Sequence, residues 1–274
     1  MSSFSDLNLK DLYDEIIRPF PTKIGRQASQ KERYETGQKK DSTLVYGEIS
    51  FESFEIIFHK IKNLYGIRNE GSSGPEGFLQ RPGGLFYDLG SGTGKPCVAA
   101  ALLHNFERCT GVEILEGLHT VSQSLIERYN STKESLLQLP SREFHTAIQT
   151  FKGDMLQTDI VDWRDADVLF ANSTCYSSQI MSKISNIAMG LKKGAFIVTF
   201  TSHLTPMSPH FEILDCEAHS QSWGESTVYI MQKKTEPFHS LPEEQDREIL
   251  RNIFLAMKFM TPEVPHYHVS PDEV

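Results

Sequence analysis

The sequence predicts an α/β protein: a Rossmann-like, seven-stranded, mostly parallel sheet with helices on both faces and a small helical segment at the N-terminus. Three observations lead there. Short apolar runs alternate with helical patterns from residue 85 to 200. A glycine-rich turn follows the first of those runs. The last two runs, Phe211–Ser220 and Ser226–Met231, follow one another directly with Trp223-Gly224 between them, as an antiparallel hairpin closing one edge.

The first run, Leu85-Phe86-Tyr87, leads into Asp88-Leu89-Gly90-Ser91-Gly92-Thr93-Gly94-Lys95 and then a helix opening on Pro96 and running to Leu103. A strand, a glycine loop and a helix N-terminus let a ligand lie against bare backbone N–H groups. The spacing is Gly-x-Gly-x-Gly rather than the Gly-x-Gly-x-x-Gly of dinucleotide binders. The adjacent carboxylate, Asp88, disfavours a pyrophosphate and suits a ligand bearing an ammonium group, which S-adenosylmethionine (SAM) has on its methionine end. A second strand, Phe106–Glu113, ends in a carboxylate about 20 residues past the glycines, where such folds bind ribose hydroxyls. A third, Ala147–Phe151, leads to Asp154 and Met155, placed for the adenine amino group and ring face. Asp88, Glu113 and Asp154 thus stand at three successive strand ends, and Asn172 closes the fourth, Ala166–Ala171.

The other elements follow in order. Leu7–Ile17 has helical spacing and stops before Pro19 and Pro21. Lys23–Lys40 is basic (Lys23, Arg26, Lys31, Arg33, Lys39, Lys40) and reads either as a solvated helix face or as a cationic patch for an acidic partner. Val45–Ser50 is a turn before the helix Phe51–Ile61, whose stripe is Phe54, Ile57, Phe58 and Ile61. Asn69–Gly84 is a Gly/Ser-rich connector. A long helix, Leu115–Leu139, precedes the third strand. The helix Ser178–Leu191 and the strand Ala195–Phe200 follow the fourth, and Leu241–Met260 is an amphipathic helix. Three regions are expected: an N-terminal helical and basic segment (1–45), a catalytic domain (46–235), and a C-terminal helix and tail (236–274).

A formal net charge of −9 over 274 residues argues against a protein whose bulk surface grips nucleic acid. Cys97, Cys109, Cys175 and Cys216 form no Cys-x-x-Cys pair, so free thiols in a reducing compartment are expected and no zinc or other metal site. His59, His104 and His119 are read as surface or packing residues rather than ligands. No apolar run has transmembrane length and no signal-peptide pattern opens the chain, so an unsecreted, intracellular protein is expected.

Tyr46-Gly47-Glu48-Ile49-Ser50-Phe51, Asp88–Gly94, Gly111-Val112-Glu113, Gly153-Asp154 and Val168–Asn172, in that order, resemble the motifs of the disruptor-of-telomeric-silencing family. Those are non-SET lysine methyltransferases acting on the globular part of a core histone in nucleosomes. The resemblance runs from about Tyr46 to Met231. It implies SAM as cofactor, with Tyr46 and Glu48 closing over its methionine end, Gly90 and Gly92 giving backbone contact, Glu113 holding the ribose and Asp154 the adenine. It also implies Asn172 as the first Asn of the family's Asn-Asn-Phe-x-Phe motif, Tyr229 near a lysine channel, a nuclear location, and DNA contact through Lys23–Lys40. Ser173, Thr174 and Tyr176 depart from that motif. The chemistry needs a neutral lysine amine; a channel walled by Tyr46, Tyr176, Trp223 and Tyr229 would lower its pKa by desolvation, with Asn172 orienting it and no dedicated general base. The alternative reading of Trp223 and Tyr229 is as core aromatics of the hairpin. The alternatives are a methyltransferase of the same fold with a non-histone or small-molecule acceptor, or an inactive SAM-binding scaffold.

Overall fold

The computed structural model describes residues 8–38, 41–66, 79–136, 145–205, 209–222 and 224–237. Its strands are β1 (Leu85–Leu89), β2 (Arg108–Glu113), β3 (Ala147–Lys152), β4 (Val168–Ala171), β5 (Phe196–Phe200), β6 (Phe211–Gln221) and β7 (Gly224–Lys233). They form one seven-stranded sheet in the order β3-β2-β1-β4-β5-β7-β6. β1 to β5 are parallel, and β7 enters antiparallel between β5 and β6. The chain turns back on itself between β1 and β4. The carboxyl ends of β1, β2 and β4 therefore open around one crevice, as a doubly wound sheet requires.

Alternation along the buried strands sends residues to two cores. Phe86, Phe170, Phe196, Val198 and Phe200 point to one face, where they meet α3 (Phe51–His59), α4 (Lys95–Leu103) and α5 (Glu116–Leu136). Tyr87, Leu89, Leu169 and Ile197 point to the other, packing with Trp163 and with Met181 and Ile184 of α6 (Ser178–Ala188). The first core is aromatic: Phe54 stacks on Phe58 at 5.0 Å and meets Phe170 edge-on at 5.1 Å. Helix starts match their sequence signals, since Ser50 and Ser177 cap α3 and α6 through their hydroxyls.

Some boundaries differ from the sequence reading. The α3 helix does not stop at Ile61 but continues as wider π-helical turns through Lys60–Tyr65, burying Ile61. The fourth strand starts at Val168, not Ala166; Asp167 just before it still bonds through its main chain to Leu85 and Phe196, while its carboxylate takes the Leu85 N–H at 2.8 Å and Lys192 at 2.7 Å. The expected helix Leu241–Met260, Trp223, Lys39, Lys40 and most of the 69–84 connector lie outside the described residues.

The N-terminal helices α1 (Leu9–Ile17) and α2 (Thr22–Glu35) lie against the helical layer of the sheet. Arg128 of α5 donates to the Glu15 and Ile16 carbonyls and pairs with the Glu15 carboxylate at 3.0 Å. Glu32 of α2 caps α5, its two oxygens accepting from the Glu116 and Gly117 N–H groups at 2.9 and 2.7 Å. The part of the basic stretch up to Glu35 is thus a helix fastened along the crevice, with Gly25 and Ser29 turned inward.

Candidate cofactor and acceptor site

A cavity of about 1050 Å³ fills the crevice, bounded by the glycine loop, the ends of β2 to β4, the turn 45–50 and the inner face of α2. The loop holds its shape by hydrogen bonds a side chain would disturb. Gly90, Gly92 and Gly94 all have positive φ. The Gly92 N–H donates to Glu113 Oε2 at 2.8 Å, while Glu113 Oε1 accepts from the Leu115 N–H at 2.8 Å. Burial raises the Glu113 carboxyl pKa, and those N–H groups oppose it. A third N–H, that of Ile114, also faces this carboxylate, which lines the cavity.

Two tyrosines close on the glycines. A Cβ on Gly92 would come within 2.6 Å of the Tyr46 ring, and one on Gly25, across that ring, within 2.3 Å. The ring is therefore sandwiched between α2 and the loop. A glycine inside the helical pattern of α2 was the sequence signal for this close approach. A Cβ on Gly90 would lie 2.2 Å from the Tyr176 hydroxyl, which donates to the Leu89 carbonyl at 2.8 Å. That hydroxyl is engaged, so what Tyr176 offers the cavity is its ring.

Behind Tyr46 is a network the sequence reading missed. Tyr46 Oη donates to Glu48 Oε1 at 2.5 Å and lies 2.6 Å from Thr93 Oγ1. Lys95 Nζ donates to the same Glu48 oxygen at 2.7 Å, and Thr22 Oγ1 to the other at 2.7 Å. Glu48 also ties its backbone to the β6–β7 hairpin through Ser222. Glu48 thus joins α2 and the N-terminus of α4 through its carboxylate, the glycine loop through Tyr46 and Thr93, and the hairpin through its backbone. Lys95 is nearly fully buried. Replacing it (Lys95→Met) leaves Glu48 without its cation, for which a buried pair typically costs ~3–5 kcal/mol. The Thr22 and Tyr46 hydroxyls still donate, so a loss of about 2 kcal/mol is expected, lowering Tm by roughly 5 °C. A Lys95→Met/Glu48→Gln pair should recover part of it; an unchanged melting curve for Lys95→Met would show that the pair is idle.

Asp88 stands apart from this satisfied network. It is 1 % exposed, and its Oδ2 is buried with no hydrogen-bond partner. Burial first, then the Glu113 carboxylate, hold its carboxyl well above the ordinary carboxylate range. A buried acid without a donor beside an open cradle fits a ligand that supplies an ammonium group. At the far wall, Asp154 Oδ1 accepts from the Leu156 N–H at 2.9 Å, and Trp163 Nε1 fixes the Met155 carbonyl at 2.9 Å. Asn172 Oδ1 accepts from Thr174 Oγ1 at 3.1 Å. Ser173 bridges the strand ends, donating to the Phe200 carbonyl and accepting its N–H. Among the described residues no cluster of His, Cys, Asp or Glu could hold a metal, and no helix is long and apolar enough to cross a membrane.

The cavity wall brings together Tyr46, Glu48, Asp88, Gly90, Gly92, Glu113, Asp154, Met155, Asn172 and Tyr176. It does not include Tyr229, which sits on β7 opposite Thr199 with its ring edge-on to His203 at 5.5 Å. Besides Lys95, the wall includes Arg26, Glu32 and Arg33 of α2. Nothing in the sequence pattern separated the inward from the outward members of that basic run.

Residues 79–225 match the family described as "Histone methylation protein DOT1", a stretch that begins after the Tyr46-Gly47-Glu48 turn. The chain is 28% identical over 183 residues to the "Histone-lysine N-methyltransferase, H3 lysine-79 specific" of Candida albicans; the match takes in 60% of this chain and 13% of that protein. Solved structures with distant likeness include a mutant of MtNAS in complex with S-adenosylmethionine (14% identity, 82% of this chain and 78% of that one, TM-score 0.43). Another is M. capricolum TrmK with S-adenosylhomocysteine (9% identity, 68% and 84%, TM-score 0.41). With more than half of its length inside the family match, the chain belongs to the DOT1 family of histone methylation proteins, whose cofactor is S-adenosylmethionine.

Proposed function

We propose that the chain transfers the methyl group of SAM to a lysine side-chain amine, and that the lysine lies in the globular core of a histone within nucleosomes, which makes it a nuclear chromatin enzyme. The observation that carries this reading is the unpartnered Asp88 carboxylate at the end of β1, beside a left-handed glycine loop, in a chain of this family. When bound, SAM supplies an electrophilic methyl group. Asp88 takes its ammonium, Glu113 its ribose hydroxyls and Asp154 its adenine amine, with Met155 against the ring. Tyr46 and Glu48 cover its methionine end.

The protein's contribution to the transfer is positioning and desolvation. The Tyr46 and Tyr176 rings exclude water from the acceptor, which lowers the ammonium pKa and favours release of a proton to solvent. Asn172 Oδ1, steered by Thr174, has a lone pair left to accept from the amine and align it. Tyr229 is proposed on the family resemblance alone, as an aromatic further along the acceptor's path. DNA contact through the outward basic residues of α2 and the segment after it belongs to the same proposal.

Tritiated SAM offered in parallel to nucleosomes, free core histones and a cell extract tests this. Label on a histone lysine in intact nucleosomes is expected. Label confined to non-histone proteins or small molecules in the extract would move the acceptor elsewhere. Measurable SAM affinity with no label anywhere would leave a scaffold.

A further inference from the structure

Only Ile114 and Leu115 separate Glu113 from the long helix α5, and the helix has no cap of its own there. Leu115, the residue before it, offers no side-chain acceptor to the orphan N–H groups of the first turn. Two carboxylates from outside the helix serve them instead. Glu113 Oε1 takes the Leu115 N–H at 2.8 Å. Glu32 of α2 takes the next two, Glu116 on Oε1 at 2.9 Å and Gly117 on Oε2 at 2.7 Å. That grip presses α2 against the head of α5. A Cβ on Gly117 would lie 3.3 Å from Glu32 Oε2 and 3.4 Å from the side chain of Ala28, one turn earlier on α2. Glycine at 117 gives the approach its room.

Glu113 is therefore held from two sides. Its Oε2 is fixed by the Gly92 N–H of the glycine loop, and its Oε1 by the Leu115 N–H at the head of α5. The second anchor is only as firm as the first turn of α5. Glu32 makes that turn firm: it satisfies two of its N–H groups and sets a negative charge at the positive end of a 21-residue helix. Helix ends without such partners fray. α2 lies outside residues 79–225, so this support comes from a part of the chain that the family match does not include.

We propose that Glu32 is a positioning residue for the cofactor's ribose: it fixes the head of α5, which fixes Glu113, so that α2 sets cofactor affinity from a distance. This rests on the reading above that Glu113 holds the ribose hydroxyls, and deepens it. The route through Glu113 is favoured over a direct contact because both Glu32 oxygens are turned to the α5 backbone.

Calorimetric titration of the full chain with S-adenosylhomocysteine and with its 2′,3′-dideoxy analogue tests this. The wild type is expected to bind the parent ligand at least roughly tenfold tighter than the analogue, since hydroxyl bonds to a carboxylate are lost. Glu32→Ala should weaken the parent roughly tenfold, the worth of a lost cap, and leave the analogue within about twofold. Glu32→Gln, which keeps one acceptor and the packing, should fall between, and it carries the test if alanine unfolds the segment. In a Glu113→Gln background, Glu32→Ala should cost nothing further. Unchanged affinity for the parent in Glu32→Ala overturns the positioning role, and so does an equal loss for parent and analogue, the mark of general loosening. Additive losses in the double variant overturn it too, because they put Glu32 on the ribose itself. Discrimination lost in Glu113→Gln but kept in both Glu32 variants sinks Glu32 alone. A Glu113→Gln variant that still tells the ligands apart sinks the ribose assignment of Glu113, and the route through it.

Discussion

Gly92→Arg is expected to abolish SAM binding while leaving the sheet folded. Gly92 has φ +55, and its Cβ would fall 2.6 Å from Tyr46 Cε2. A non-glycine residue in the left-handed region costs about 1–2 kcal/mol by itself. The ring cannot retreat, because it is backed by Gly25 on α2 and held by Glu48 and Thr93 through its hydroxyl. The loop must move instead, and moving it breaks the bond from the Gly92 N–H to Glu113, the group placed to hold the ribose. An arginine side chain then has no route except into the cofactor cradle. Titration calorimetry with SAM should show no heat where the wild type shows saturation, and circular dichroism should be unchanged. Gly92→Ala separates the effects: the methyl clash alone should weaken SAM by roughly tenfold or more and lower Tm by a few degrees. Full SAM affinity in Gly92→Arg would remove the loop from the site.

Much of this site was legible because its residues sit at strand ends. β1 and β4 read as short buried runs, and the polar residues at or just past the ends of β1, β2 and β4 fall at the mouth of the crevice by topology alone. Asp88, Glu113 and Asn172 were found that way, and the glycines by their spacing. What stayed hidden depends on partners far away in sequence. Lys95 looks like an ordinary residue at a helix start, and only the fold puts Glu48 against it, 47 positions earlier. Glu32 looks like a solvated charge, yet it caps a helix 84 positions later. Arg33 differs from Lys31 in no local feature, but two positions on a helix turn a side chain by about 200°, so one faces the cavity and the other pairs with Glu35 in solvent. Tyr229 rests on resemblance alone: it matches an aromatic position near the family's lysine channel, and its ring meets His203 outside the wall of this cavity.

Asp88→Asn should lower SAM affinity by about 100-fold, the loss typical of removing one partner from a buried, hydrogen-bonded charge pair. The same change should make the free protein's stability less dependent on pH. In the folded chain the Asp88 carboxyl is held well above its ordinary value, by burial first and by Glu113 second. A carboxyl with a raised folded pKa binds its proton more tightly folded than unfolded. Its contribution to stability is therefore complete below the unfolded value, near 4, and is lost as pH rises through the folded one. Asparagine cannot ionise, so that slope disappears, leaving the smaller one from Glu113, whose carboxyl is also raised. Binding runs the other way: the cofactor's ammonium stabilises ionised Asp88, so wild-type affinity should climb with pH across the same window, with proton release on binding. Calorimetry in two buffers of different ionisation enthalpy reads that release directly, and melting curves from pH 5 to 8 read the stability slope. If the asparagine variant bound SAM as tightly as wild type and released the same number of protons, Asp88 would be a merely buried acid, and the ammonium would have to find its partner elsewhere in the cradle.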